Sequence, residues 1–115
     1  MSNSNERPSG SVDPAVPHRF ETLVEYQDGS VVSRTVARGK AGTLTMFAFD
    51  KGQGLSEHQA PYDAWVQVLE GEGEMTIDGN PVKVTAGETV LMPGNVPHSV
   101  FAHQPFKMLL IMIRG

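Results

Sequence analysis

The chain has no cysteine, which excludes disulfide bonds, thiolate metal ligands and a cysteine nucleophile. It also lacks any basic cluster, because its 9 Lys and Arg residues are scattered among 13 Asp and Glu residues, for a formal net charge of −4. Proteins that bind nucleic acid usually display a basic face, so we expect no nucleic-acid partner. Functions that need a thiol or a cationic surface are therefore unsuited to this sequence.

Long apolar segments are missing as well. The longest run, residues 108–113, is far shorter than the roughly 20 residues that a membrane-spanning helix needs. Residues 1–19 contain Glu6, Asp13 and three prolines and have no apolar stretch of the kind found in signal peptides. We therefore expect a cytoplasmic protein without a membrane partner.

The composition favours one globular domain preceded by a flexible arm. Apolar residues make up 39% of the 115 residues and charged residues 19%, which are ordinary values for a globular chain. Residues 1–17 are mainly Ser, Asn, Pro and Gly, and such a segment buries too little surface to offset the entropy lost on ordering. We predict a flexible arm over 1–17 and a single β-barrel domain over 20–115.

Short runs of β-branched and aromatic residues alternate with glycine turns along this domain, as in an all-β protein. No window of about a dozen residues repeats apolar positions at helical spacing without an intervening Gly or Pro. We predict strands at 22–26, 31–37, 42–50, 64–70, 73–78, 82–85, 88–92, 98–102 and 106–113. Many short antiparallel strands without a long crossover indicate a closed barrel or jelly roll. The run 108–113 does not alternate, which suggests burial on both faces, one against the barrel and the other against a partner in a homodimer.

Two segments each place one histidine at a predicted strand end. In the first, Gly52 is followed by five residues and then His58, with Gly71 further along. In the second, Gly87 is followed by five residues and then Pro93, and a turn of Gly, Asn and Pro leads to His98. The prolines restrict φ, so we expect this loop to hold His98 in a defined place.

These segments resemble the two signature motifs of the cupin superfamily, small jelly-roll barrels (double-stranded β-helices) that commonly hold a metal. The resemblance covers about residues 40–113 and implies that His58 and His98 face each other across the barrel lumen. At the positions where the family has its second His and its Glu, this sequence has Ala60 and Ala64. The scaffold thus looks complete, whereas half of the usual four-ligand metal site is missing.

Strand alternation extends the candidate site. If His58 faces the lumen, Ala60 does too, and Ala64 and Val66 share one face of the next strand, so we expect these three residues to line a pocket. Tyr62 lies close to His58 in the sequence and joins the two histidines as a candidate catalytic residue.

A metal site needs more than two protein ligands. Zinc enzymes usually supply three, and non-haem Fe(II) sites supply two His and a carboxylate. The sequence offers four candidates for a third ligand: Glu57, Asp63, Gln67 and His103. With His58 and His98 as tentative ligands, the cofactor is either absent or a divalent Fe, Mn, Ni or Zn ion.

Three functions remain open from the sequence. The first is a small-molecule-binding barrel with a reduced two-His site, acting as an acid–base isomerase, lyase or cyclase or as a binding module. The second is a metal-dependent enzyme of the dioxygenase or lyase type with a non-standard third ligand. The third is a non-enzymatic sensor or structural dimer with a vestigial pocket.

Overall fold

The computed structural model describes residues 12–114. These residues form one 3₁₀ turn, Phe20–Thr22, and nine β-strands. The strands are β1 (Val31–Gly39), β2 (Gly42–Phe49), β3 (Gly54–His58), β4 (Asp63–Glu70), β5 (Glu72–Ile77), β6 (Asn80–Thr85), β7 (Thr89–Met92), β8 (His98–Phe101) and β9 (Phe106–Ile113).

The strands form two antiparallel sheets. One has five strands in the order β1-β2-β9-β4-β7, and the other has four in the order β3-β8-β5-β6. β9 lies at the centre of the larger sheet, where it pairs with β2 along its whole length and with β4 over residues 107–113, with one register shift between Val68 and Glu70. This arrangement confirms the all-β jelly roll that the sequence predicts.

Eight of the nine predicted strands are present, and one prediction is wrong. Residues 22–26 are not a strand: the 3₁₀ turn ends there, and Leu23 and Val24 pack on the outside of the five-stranded sheet without joining it. The ninth observed strand, β3, is one that the sequence did not predict. It escapes sequence analysis because its Gly, Ser and Glu residues have low β propensity, and only pairing with β8 makes it a strand.

The space between the sheets is filled by apolar side chains that share one parity on each strand. Phe49, Val66, Met75 and Met108 are almost fully buried there. The ring of Phe106 stacks on that of Phe49, with centroids 4.7 Å apart. Since successive residues of a strand point to opposite faces, this core requires the register seen in the larger sheet.

A second apolar cluster lies on the outer face of the five-stranded sheet. It joins Met46 and Leu109 of the sheet to Val24, with Val12 and Phe20 packed against it. Lys107, on the same face, is only 8% exposed, and its Nζ donates a hydrogen bond to the carbonyl oxygen of Glu21 at 2.7 Å. The N-terminal segment therefore covers part of the face that the sequence analysis left for a partner.

The flexible arm predicted over 1–17 lies mostly outside the described residues, so it stays a prediction. Over residues 12–114 no helix is both long and apolar enough to cross a membrane.

The close contact of β5 with Phe106 generates a stability prediction. A methyl group added at Gly73 would lie 2.5 Å from the Phe106 ring, which cannot move away because it is stacked on Phe49. We expect Gly73→Ala to lower the free energy of unfolding by about 1–3 kcal/mol, measured by urea denaturation. The double variant with Phe106→Leu should lose less than the sum of the single changes, and strict additivity would contradict this account.

Candidate functional site

The two histidines are direct cross-strand neighbours. His58 is the last residue of β3, His98 is the first residue of β8, and the two are register partners. β3 is irregular between Leu55 and His58, and the loop before β8 turns at Asn95, whose φ is +64°. Both histidines thus stand at strand ends, as the two motifs predict. They do not face each other across the lumen, as the resemblance implied, because β3 and β8 are adjacent strands of one sheet and hold them side by side.

Both rings are held by their own backbone in the same way. Nδ1 of His58 lies 2.8 Å from the carbonyl oxygen of Ser56, and Nδ1 of His98 lies 3.0 Å from that of Val96. A carbonyl oxygen only accepts hydrogen bonds, so each Nδ1 carries the proton. In the neutral form, each Nε2 is then an acceptor with an exposed lone pair.

These two acceptor nitrogens face each other. The distance between Nε2 of His58 and Nε2 of His98 is 3.2 Å, and the rings meet edge to face at 75°. Two lone pairs at this distance repel unless an electrophile lies between them, and that electrophile is either a shared proton or a metal cation. The geometry therefore allows the pair to share a proton.

The two histidines differ in their exposure to solvent. His58 is exposed, whereas His98 is only 5% exposed. Burial lowers the pKa of His98, and the neighbouring His58 lowers it further, while the hydrogen bond to Val96 acts in the opposite direction. His98 is thus kept neutral at a pH where an exposed histidine begins to take up a proton.

A small cavity of about 50 Å³ adjoins the pair. Its lining residues come from strands of both sheets and from the loop after β3: Leu55, His58, Ala60, Tyr62, Ala64, Met92, His98, Val100, Met108, Leu110 and Met112. Since one water occupies about 10–15 Å³ on this measure, the cavity holds roughly four waters. It is well below the about 300 Å³ at which drug-sized ligand sites begin.

The cavity gathers five of the six residues that the sequence singles out. His58, His98, Tyr62, Ala60 and Ala64 all line it. Val66 does not: it is fully buried among the core side chains and lies outside the cavity wall. Val66 does point inward, on the same face of β4 as Ala64, as strand alternation predicts. It lies two residues further along the strand, however, and so packs in the core beyond the cavity.

None of the predicted third ligands reaches the pair. Asp63 and Gln67 lie on β4 with parity opposite to Ala64, and Oδ1 of Asp63 instead accepts a hydrogen bond from the amide of Gly94. His103 instead lies beside Glu74 of β5, with a distance of 3.4 Å between Nε2 and Oε1. Glu57 is exposed and does not line the cavity.

Sequence reasoning missed part of the apolar wall, although a signal for it exists. Met108, Leu110 and Met112 are spaced by two residues on β9, and all three line the cavity. The run looked uniform because the outer face of the same strand is apolar too. Inward and outward side chains do alternate along β9, but the sequence does not show it because both sets are apolar.

The loop after β3, which carries Ala60 and Tyr62 of the cavity wall, is joined by hydrogen bonds to the loop before β8. The amide of Asn95 donates to the carbonyl oxygen of Ala60 at 2.7 Å, and the amide of Gly94 donates to Asp63 at 2.9 Å. A side chain at Gly94 would press on the backbone of Tyr62.

The donor set fits a metal in part. Two imidazole nitrogens that bind one Zn²⁺ at about 2.0–2.1 Å with tetrahedral angles lie roughly 3.3 Å apart, close to the separation found here. Within residues 12–114 there is no group of three or more His, Asp or Glu side chains placed to hold a metal ion. The hydroxyl of Tyr62 is the other polar side-chain group of the cavity wall.

Comparison with known proteins agrees with the fold and the motifs. The family model described as "Cupin domain" matches residues 45–113. A curated relative, dimethylsulfoniopropionate lyase DddW of Ruegeria pomeroyi, is 30% identical over 94 residues, which cover 82% of this chain and 57% of the relative. The chain thus spans little more than half the length of that enzyme.

Two solved structures are similar in sequence as well as in fold. A conserved protein of unknown function from Streptococcus pyogenes is 31% identical, with a TM-score of 0.88 and 96% of each chain covered. A cupin 2 conserved barrel domain protein from Leptotrichia buccalis is 42% identical, with a TM-score of 0.80, over 82% of this chain and 46% of that one. Neither description states an activity.

The lowered pKa of His98 generates a prediction about pH. The folded chain binds a proton at His98 less readily than the unfolded chain, so protonation favours unfolding as the pH falls below about 6.5, the unperturbed value. We expect this contribution to stability to be complete above that pH and to be lost below it.

The measurement is urea unfolding at a series of pH values. His98→Gln should flatten the decline on the acid side, whereas His18→Gln, which changes an exposed histidine outside the cavity, should leave it unchanged. Equal slopes for wild type and His98→Gln would contradict the assignment.

Proposed function

We propose, from the premise that the chain belongs to the cupin family, that it binds a small molecule in the cavity and uses His58 and His98 as an acid–base pair. The observation that carries this proposal is the 3.2 Å separation of the two Nε2 atoms at the cavity wall. General acid–base catalysis needs a group that takes up and releases a proton near neutral pH, and histidine is the usual one.

The pair suits this task because its members differ in exposure. His58 exchanges protons with solvent, whereas His98 is buried and neutral and faces the ligand. From the unprotonated pair, Nε2 of His98 takes a proton from the ligand and then donates it to Nε2 of His58. His58 releases that proton from Nε2 to water, and both rings return to the neutral form with the proton on Nδ1. In the reverse direction the same path supplies a proton to a leaving group or a carbanion.

The cavity limits the ligand. Among residues 12–114, its walls are apolar apart from the two histidines and Tyr62, and none of the lining residues is Lys, Arg, Asp or Glu. The closed volume admits a group of about four or five non-hydrogen atoms, on the scale of roughly 10–15 Å³ per water. We propose that the reacting end of the ligand is small and largely apolar, and that Tyr62 orients it through its hydroxyl.

Similarity to a lyase favours elimination among the acid–base reactions. The curated relative is named for lyase activity on dimethylsulfoniopropionate, and an elimination begins when a base removes a proton. His98 supplies a neutral base beside the cavity. Isomerisation and cyclisation need the same base and remain within the proposal.

Metal dependence is the second candidate, and one observation favours it. The spacing of the two Nε2 atoms is close to that of two nitrogen ligands of a single metal. His58 and His98 would hold the ion, and a bound divalent metal would supply Lewis-acid activation of the ligand. The remaining positions would fall to water, to the ligand or to Tyr62.

Activity distinguishes the candidates. Dimethylsulfoniopropionate is the first compound to test, and its consumption is followed by proton NMR. We expect chelator-treated full-length protein to consume it, and His98→Gln to reduce the rate by at least about a hundredfold, the usual contribution of a general base. His103→Gln is the matched control, since that histidine lies outside the cavity and should leave the rate unchanged.

Other outcomes would support a different function. A rate that returns only when Mn²⁺ or Zn²⁺ is added supports the metal-dependent candidate. No consumption under either condition contradicts lyase activity on this compound, and an equal rate in His98→Gln contradicts the acid–base pair.

A gain-of-ligand variant tests whether the wild-type site has only two protein ligands. Ala60 and Ala64 line the cavity beside the histidines, so Ala60→His with Ala64→Glu should add two ligands. We expect calorimetry to show Mn²⁺ or Ni²⁺ affinity at least about a hundredfold above wild type. Gln67→Glu adds the same charge at a β4 position of opposite parity and should not raise it; equal affinity in all three proteins would contradict the two-ligand site.

A further inference from the structure

Two methionines of the cavity wall flank one of its alanines. Ala64 of β4 pairs with Met92 of β7 on one side and with Met112 of β9 on the other, and all three side chains line the cavity. Neighbouring strands are about 4.8 Å apart. Because Ala64 ends at its methyl group, the two flexible thioether side chains have room to approach each other above it.

The methionines lie at the same end of the barrel as the histidine pair. Met92 is the last residue of β7, and a short loop leads from it to His98, the first residue of β8. His58 is the last residue of β3, and another short loop leads from it to β4, where Ala64 is the second residue. Met112, the partner of Ala64, is the last residue but one of β9. The connections of the chain therefore gather two imidazole nitrogens and two thioether sulfurs around one small cavity.

These donors match one kind of metal ion. None of the described lining residues is Asp or Glu, and the whole chain has no cysteine, so thioethers are the soft ligands at hand. Imidazole binds several transition metals, whereas a thioether sulfur is a ligand that Cu(I) prefers. The Nε2 atoms of His58 and His98 are 3.2 Å apart, a separation that lets both bind a single ion. Two imidazoles with two thioethers are therefore a donor set suited to Cu(I).

The charge of the ion leads to the same choice. All four donors are neutral, so an ion that they bind keeps its full charge beside an apolar wall. The cost of taking an ion out of water rises steeply with its charge, and a buried charge is stable only when its surroundings compensate it. Without a carboxylate, the described wall compensates a monovalent ion far better than a divalent one.

We propose that this chain binds Cu(I) through four ligands: His58, His98, Met92 and Met112. The proposal does not rest on the acid–base function, because Cu(I) would occupy the same two Nε2 atoms as the shared proton and would stop proton transfer while bound. For Mn²⁺ or Ni²⁺, which prefer harder donors, the site still offers only the two histidines. Met108 also lines the cavity, but it lies four residues before Met112 on β9, about 13 Å along the strand, and is not a ligand.

Competition with the Cu(I) chelator bicinchoninate measures the affinity. Full-length protein is titrated without oxygen and without substrate, and ascorbate keeps the copper reduced. We expect one Cu(I) per chain. Met92→Leu and Met112→Leu should each weaken binding at least about tenfold, and the double variant should weaken it further, because the loss of even an outer partner of a metal ligand costs about 10–100-fold. Leu and Met have similar volumes, so these changes preserve the fold.

Met75→Leu is the matched control. Met75 is fully buried in the same core but does not line the cavity, so this variant should bind Cu(I) as tightly as wild type. Zn²⁺ affinity is the second control. Zinc sites in proteins use thiolate, imidazole and carboxylate ligands, so we expect the methionine variants to bind Zn²⁺ as wild type does.

Methyl NMR with Ag⁺ identifies the ligands in the wild-type protein itself. Ag⁺ is a soft monovalent ion that is stable in air, and it replaces Cu(I) in this measurement. The chain has 6 methionines, each with one terminal methyl signal. We expect Ag⁺ to shift the signals of Met92 and Met112 and to leave those of Met46 and Met75, which lie outside the cavity wall, in place.

Three results overturn the proposal. The first is a wild-type protein that leaves all Cu(I) with bicinchoninate. The second is a double methionine variant that binds Cu(I) as tightly as wild type, because the histidines then suffice. The third is a set of Ag⁺ shifts that omits Met92 and Met112. The acid–base function is judged by the activity of metal-free protein, so either proposal can fail without the other.

Discussion

The register of β9 is the constraint on which the rest of the structure depends. This strand pairs with β2 along its whole length and with β4 over residues 107–113, and each of its residues is thereby assigned to one face of the sheet. Phe106 enters the core, Met108 and Met112 form the cavity wall, and Leu109 lies under the N-terminal segment. A slip of one residue would exchange these sets and expose the core residues. Core, cavity and outer face are therefore not independent features.

The histidine pair depends on a second register, that of β3 with β8. Two backbone carbonyls orient the rings so that acceptor nitrogens meet, an arrangement that is favourable only with a cation between them. Where further ligands would stand, the wall has two alanines, and the space that they leave is small and apolar. In this site the backbone holds the two Nε2 atoms in fixed positions, and apart from Tyr62 the rest of the described wall is apolar. This combination favours a proton as the shared cation and leaves a metal as the alternative.

The sequence predicts the fold and the position of the two histidines at strand ends well, because both depend on local signals. Glycine turns and β-branched runs locate eight strands, and the two glycine-led motifs locate His58 and His98 at strand ends. Three features depend on long-range packing and could not be read from the sequence. β3 exists only through its pairing with β8, and residues 22–26 pack on a sheet that they do not join. Val66 lies below the cavity instead of in its wall, because parity gives the side of a strand but not the depth.

The pairing of β2 with β9 also bears on how the chain folds. Residues 42–49 must meet residues 106–113, and β9 must be in place before β4 can complete the same sheet. Closing so long a loop loses chain entropy before the strand contacts return any stabilisation. Two-state domains dominated by such distant pairings fold in milliseconds to seconds, slowly compared with helical bundles. Until β9 docks, the edges of β2 and β4 that it joins are unpaired, and unpaired strand edges make a partly folded chain prone to aggregation.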